Sequence, residues 1–187
     1  MKRKKIGIFG GTFNPVHIGH IVMAEAVRKE YKLDKVYFIP CGVPPHKPKQ
    51  KLLPAKFRYD LVSHAIKKKK CFKVLDIEIK KKKPAYTIET VDELERKMKH
   101  SDFYFLIGAD EFEKLHTWNK ANKLAKMVAF LVLPRLSKNI KIPKVKNLKW
   151  SLVHTKPVNI SSSEIRKRIK EKKPIKNLIP SGVKNFY

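Results

Sequence analysis

The chain has 187 residues, 42% of them hydrophobic, enough to build a full core and to exclude a disordered composition. Its formal net charge is +28, from 44 Lys and Arg against 16 Asp and Glu. Its 2 cysteines, Cys41 and Cys71, form no CxxC pair, which argues against a disulfide framework or a structural zinc site.

The first residues read MKRKKIGIFGG. The apolar stretch Ile6 to Phe9 breaks on Gly10-Gly11, too short for a signal-peptide core. No apolar run approaches the roughly 18–20 residues of a membrane helix, so a cytoplasmic protein without a membrane partner is expected. KIGIFG (5–10) predicts a short buried strand. Residues 20–31 have helical spacing, along Ile21, Ala24 and Val27 or along Val22, Ala26 and Glu30. KVYFIP (35–40) predicts a second strand closed by proline, and the four prolines of residues 41–54 predict a long loop. Residues 55–68 return to helical period through Phe57, Leu61 and Ala65. FKVLDIEI (72–79) alternates like a strand with one wet face. Residues 86–99 predict a helix burying Ile88, Val91, Leu94 and Met98. FYFLIGAD (103–110) predicts a strand that runs into a glycine and an acid. VAFLVLPR (128–135) is a continuous apolar run suited to a sheet covered on both faces. Residues 148–155 predict one more strand, residues 161–173 a helix, and residues 180–187 a last short one.

Strands alternating with helices predict an α/β class: a Rossmann-like three-layer α/β/α domain with a mostly parallel sheet, one unit over residues 1–187. The lysine runs 67–70 and 80–83 fall at element ends with little aromatic interleaving. They read as solvated surface rather than as a nucleic-acid site, the competing reading of the net charge.

Residues 7–20, GIFGGTFNPVHIGH, concentrate the chemistry. In open parallel sheets, ligands sit at the carboxyl ends of the strands. Gly10 and Gly11 end the first strand and let backbone N–H groups approach a phosphate. A helix starting near His17 or Ile18 adds its positive dipole end to the same place. His17 and His20, spaced i, i+3, share that helix face or its entrance and can donate to phosphate oxygens. The stretch matches neither G-x-G-x-x-G nor the P-loop pattern, and no third ligand stands at a usual spacing for a metal. At the far end, Ser161 and Glu164 have capping-box spacing, with Ile165 and Ile169 facing the core and Lys167 and Arg168 solvated. Arg166 lies in the first turn, where its fork can grip phosphate. Asp110 is either a ribose contact or the N-cap of a following helix.

Taken together, GGTFNPVHIGH (10–20) and ISSSEIRKR (160–168) resemble the paired motifs of the nucleotidylyltransferase superfamily with the (H/T)xGH signature. PPHKPK (44–49), PAYTIETVDEL (84–94), GADEFEKLHTWNK (108–120), LVLPR (131–135) and IPSGVKNFY (179–187) are similar to segments of one bacterial family, the nicotinate-nucleotide adenylyltransferases. Asn14 departs from the aspartate usual there.

The resemblance implies transfer of an adenylyl group from ATP to nicotinate mononucleotide in NAD biosynthesis. It implies Mg²⁺ carried mainly on the ATP phosphates, with no metal-binding residue named. It assigns Gly10, Gly11, Thr12, Phe13, His17, His20, Gly108, Asp110, Ser161, Ser162 and Arg166 to ATP, with His17, His20 and Arg166 catalytic. It assigns His46, Lys47, Tyr86, Thr87, Trp118 and Asn119 to the mononucleotide, Trp118 stacking on the pyridine ring. The pocket drawn from Tyr86, Thr87, Trp118 and Asn119 holds no acidic side chain, so the acid is expected to be preferred over its amide. Phosphopantetheine adenylyltransferase is the alternative within the superfamily, and the Tyr-Thr and Trp segments argue against it. Class I tRNA synthetases share HIGH but need a KMSKS-type loop and further domains.

Overall fold

The computed structural model describes residues 3–44, 52–81, 83–134, 139–155 and 158–186. Six strands form one sheet: β1 (Lys4–Gly11), β2 (Lys35–Pro40), β3 (Phe72–Val74), β4 (Ser101–Gly108), β5 (Val128–Leu133) and β6 (Trp150–Leu152). Their order is β3-β2-β1-β4-β5-β6, and every pairing is parallel. The order therefore reverses between β1 and β4, whose carboxyl ends are Gly11 and Gly108. That crevice is where open α/β sheets bind ligands.

Among the described residues, six helices accompany the strands: α1 (Ile18–Glu30), α2 (Ala55–Ile66), α3 (Thr87–Lys97), α4 (Ala109–Phe112), α5 (Ala121–Met127) and α6 (Ser162–Lys170). Short 3₁₀ turns cover Leu115–Thr117 and Ser181–Phe186. The strands alternate as their pleat demands. Phe103, Phe105 and Ile107 of β4 pack with Ile88, Val91 and Leu94 of α3 and Leu124 of α5 on one face. Leu106 of the same strand joins Ala24 and Val27 of α1 and Leu61 and Val62 of α2 on the other. The architecture is the expected three-layer α/β/α, Rossmann-like arrangement.

Four expectations change. Residues 72–79 form a strand only over Phe72–Val74. After Leu75 donates to the Phe38 carbonyl, the chain turns, with Lys80 N bonded to Asp76 O at 3.0 Å. The strand at 148–155 shortens to Trp150–Leu152. The buried row of α2 is Arg58, Leu61, Val62 and Ile66, with Phe57 and Ala65 half-buried beside it. The rotation brings Arg58 inward, onto loop carbonyls. On α6, Ile165 is buried but Ile169 is 39% exposed, because the helix leaves the body after its first turns. α5 carries no strong helical period in its seven residues and escapes the sequence reading.

Candidate active site

At the β1–β4 crevice lies a cleft of about 890 Å³. The β1–α1 loop forms one wall. Phe13 takes φ 46°, a left-handed conformation that a bulky side chain adopts only when its surroundings impose it. Its buried ring meets Phe9 edge-on at 5.6 Å and His20 at 5.0 Å. The Asn14–Pro15 peptide is cis. Asn14 Oδ1 accepts from the Leu53 N–H at 3.0 Å, so the amide keeps the acceptor a carboxylate would offer. Asn14 Nδ2 is buried with no hydrogen-bond partner among the described residues.

α1 begins as expected, with His17 as N-cap and His20 at N3. The imidazoles stack with centroids 3.6 Å apart. The His17 backbone N–H donates to His20 Nδ1 at 3.1 Å. That nitrogen is therefore the acceptor, and Nε2 carries the proton of the neutral ring. Burial, and then the neighbouring His17, hold the His20 pKa well below the usual imidazole range. His20 is thus a neutral donor at pH 7 in the free protein. Gly19 makes this pairing possible: a Cβ there would lie 2.9 Å from His17 Nδ1 and 3.3 Å from Val158 Cγ1.

α6 closes the cleft from the other end of the chain. Ser161 caps it by accepting from Glu164 N at 3.1 Å. The expected reciprocal half of a capping box is replaced, since Glu164 Oε1 accepts from Arg168 Nε at 2.9 Å. Arg168 is accordingly ion-paired rather than merely solvated. Ser162 Oγ donates to the Pro15 carbonyl at 2.9 Å, and Arg166 donates to the Asn14 carbonyl at 2.8 Å and to Ser163 Oγ at 3.2 Å. Two segments about 150 residues apart in sequence are thereby joined backbone to side chain. The C-terminal region adds a further tie, the Ile18 N–H donating to the Leu178 carbonyl at 2.9 Å.

Across the cleft, Gly108 is the N-cap of α4, and Asp110 stands exposed in its first turn. The N-cap alternative for Asp110 is thus excluded. Gly108 has φ −71° and ψ 149°, open to any residue, and a Cβ built on it meets nothing within 4 Å among the described residues. Neither the backbone nor packing among the described residues calls for glycine there. Trp118 is half-buried, edge-on to Phe105 at 5.8 Å, and still lines the cleft beside the exposed Asn119. Tyr86 and Thr87 are the N-cap and first residue of α3, and also line it. Gly10, Gly11, Thr12, Phe13, His17, His20, Gly108, Asp110, Ser161, Ser162 and Arg166 therefore share one cleft with Tyr86, Thr87, Trp118 and Asn119. His46 and Lys47 lie outside the described residues.

Two charged residues escaped the sequence reading. Arg58 is fully buried and donates to the carbonyls of Leu53 (2.9 Å), Thr12 (2.6 Å) and Gly42 (3.1 Å), binding both loops that follow β1 and β2. Its signal was available: a cation three and four residues before Leu61 and Val62, on the apolar stripe. Glu78 is buried in the cleft wall, and Thr90 Oγ1 donates to its Oε1 at 2.9 Å. Burial pushes its carboxyl up to about 7. The cleft thus contains Glu78 and Glu111 besides the expected Asp110, so acidic side chains stand near the pocket drawn from Tyr86, Thr87, Trp118 and Asn119. Glu78 sat on the wet face of a predicted strand, and nothing in the pattern marked it.

Comparison with known proteins agrees with this geometry. The Cytidylyltransferase-like family model matches residues 8–168. A "probable nicotinate-nucleotide adenylyltransferase" of Carboxydothermus hydrogenoformans is 39% identical, the alignment covering 100% of this chain and 96% of that protein. One of the same description from Bacillus licheniformis is 39% identical over 98% of this chain and 95% of its own. The fold matches that of a Plasmodium falciparum nicotinic acid mononucleotide adenylyltransferase complexed with NaAD, with TM-score 0.79, 21% identity, and coverage of 97% and 93%. No helix among the described residues is long and apolar enough to cross a membrane. The chain belongs to the nicotinate-nucleotide adenylyltransferase family.

Proposed function

We propose that this chain joins ATP and nicotinate mononucleotide into nicotinate adenine dinucleotide, releasing pyrophosphate. A phosphate oxygen of the mononucleotide forms a bond to the α-phosphorus of ATP, and the bond to pyrophosphate breaks in line. The attacking phosphate is already ionised at neutral pH, so no side-chain base is required. What the protein supplies is alignment and compensation of charge.

His20 offers Nε2–H to the phosphates, its tautomer held by the His17 backbone. Anionic phosphates beside it oppose the burial that depresses its pKa, so nucleotide binding draws charge onto the ring. Arg166 commits two of its five N–H donors to Asn14 and Ser163, and the remainder serve the phosphates. Gly10, Gly11, Thr12, Phe13, Gly108 and Asp110 seat the nucleotide. Tyr86 and Thr87 present the N-terminus of α3 to the nicotinate carboxylate, and Trp118 stacks on the pyridine ring. His46 and Lys47 take the mononucleotide phosphate.

Among the described residues, no three His, Cys, Asp or Glu side chains converge on a metal position. Mg²⁺ would arrive on the triphosphate. When bound there, it offsets phosphate charge.

The observation that carries this reading is the junction of the two distant motifs, Arg166 to Asn14 and Ser162 to Pro15, at one cleft. The test is incubation with ATP, Mg²⁺ and nicotinate mononucleotide or its amide, with products identified by mass. Formation of the acid dinucleotide and pyrophosphate is expected. Formation of neither dinucleotide sinks the proposal.

A further inference from the structure

We infer that Glu78 is a specificity-determining residue whose protonation makes the choice between nicotinate and nicotinamide substrates depend on pH. The inference rests on the adenylyltransferase reading above.

Position is the first argument. The Glu78 carboxyl accepts from Thr90, one turn along α3 from the Tyr86–Thr87 N-terminus, and Thr90 N itself donates to the Tyr86 carbonyl at 3.3 Å. Glu78, Tyr86, Thr87 and Thr90 line the same cleft. The backbone that carries it is closely packed. Gly42 packs so tightly on the Glu78 backbone carbonyl that a Cβ there would collide with it. Gly42 is fastened in turn by Arg58.

Surroundings are the second. Among the described residues, the groups that face the carboxyl are Thr90 and Glu89 of α3, Cys41 of the segment after β2, and Lys81 on its own segment. Lys81 is shared with Glu89, Nζ to Oε2 at 3.3 Å, so among the described residues no cation is dedicated to Glu78. The Cys41 thiol and Thr90 hydroxyl stabilise the ionised form, and burial outweighs them, placing the carboxyl near 7.

The consequence concerns charge. The carboxylate of a nicotinate ring is ionised throughout the neutral range. Beside a protonated Glu78 it meets a neutral group. Beside an ionised Glu78 it meets a like charge, which a neutral amide does not. Preference for the acid is therefore greatest below the Glu78 pKa and declines as pH rises through it. By the same linkage, binding of the acid drives proton uptake by Glu78.

The test measures kcat/KM for both mononucleotides from about pH 6 to about pH 8.5. Their common phosphate titrates alike and cancels in the ratio. The acid-to-amide ratio is expected to fall by about tenfold across this range, the change that a pKa displacement of one carries. Glu78→Gln retains an acceptor for Thr90 and should give a flat ratio. Thr90→Val removes a donor to the ionised form and should move the fall to higher pH. Calorimetry in two buffers of different protonation enthalpy should find more proton uptake on binding the acid than the amide near pH 7, and no difference between the two in Glu78→Gln. A flat ratio in the wild type, or equal proton uptake with both ligands, overturns the inference while leaving the activity intact. Should Glu78→Gln fail to fold, these two wild-type measurements still decide. Absence of turnover with either substrate overturns the activity reading and this inference with it.

Discussion

Gly108→Ala separates what the fold needs from what the ligand needs. The backbone at Gly108, φ −71° and ψ 149°, is ordinary for alanine, and the added Cβ finds no atom of the described residues within 4 Å. On the folded protein alone, the change should stabilise by about 0.4–1 kcal/mol, through the reduced freedom of the unfolded chain. For a domain of this size that is a Tm rise of roughly 1–4 °C. The bound state differs. If the nucleotide lies against this position, the methyl group occupies its seat, and overpacking of that kind costs about 1–3 kcal/mol. The ATP KM should then rise by roughly 5- to 150-fold, since 1.4 kcal/mol is a factor of ten. Thermal unfolding and steady-state pyrophosphate release measure the two effects on one preparation. A raised Tm with an unchanged KM would show that nothing binds against Gly108. A lowered Tm would refute the open space itself.

Gly19→Ala should lower kcat at least tenfold, because a Cβ 2.9 Å from His17 Nδ1 forces that ring out of its stack with His20; an unchanged kcat in steady-state kinetics would refute this. His20→Ala should reduce kcat by about 10²–10³-fold with a far smaller effect on ATP affinity, the signature of a donor that counts in the transition state. Arg166→Lys should raise the ATP KM, lower kcat, or both, since lysine lacks the planar fork that serves Asn14, Ser163 and phosphate together. Stability should also respond to pH through Glu78: its carboxyl lies near 7 when folded against 4.5 ordinarily, so the folded state binds the extra proton between these values. Stability from this group is therefore full below about pH 4.5 and lost as pH rises to 7, and Glu78→Gln should raise the unfolding free energy more at pH 8 than at pH 5, by about 2–3 kcal/mol, as read by denaturant unfolding at the two pH values.

The parts of the fold legible in the sequence were those whose burial is uniform. KVYFIP matches β2 over its whole length, and the continuous run Val128–Leu133 reads directly as a strand covered on both faces. The start of α1 was legible because Asn-Pro and two histidines punctuate it. α5 was not, since seven residues span barely two turns and its burial depends on neighbours far along the chain. Glu78 and Ile77 alternate as in a strand, yet the chain has already left the sheet edge, because only Phe72–Val74 finds a partner in β2. The candidate site divides the same way. Backbone-driven features, the glycines and helix starts, could be read from residue type. Arg58 and Glu78 could not, because charged residues default to the surface in any pattern-based reading, and only the loops above them explain their burial.

Those loops and helix starts also account for a mismatch between the chain's charge and its cleft. Among the described residues that line the cleft, Arg166 is the one Lys or Arg, in a protein with 44 of them. Helix starts add a further source of positive potential to the cleft. α1, α3 and α6 all begin at its rim, with N-caps His17, Tyr86 and Ser161. A parallel sheet forces this arrangement: each returning helix starts near the edge where its strand ends. Each start leaves N–H groups without helical partners and carries the equivalent of about half a positive charge. α1 has no acid in its first turn to cancel it. Arg58 adds a buried cation whose listeners are carbonyls rather than carboxylates, so its charge is solvated but not neutralised. Such fixed sources are screened by salt far less than exposed lysines are. ATP binding should therefore persist at ionic strengths that abolish loose polyanion attraction to the surface.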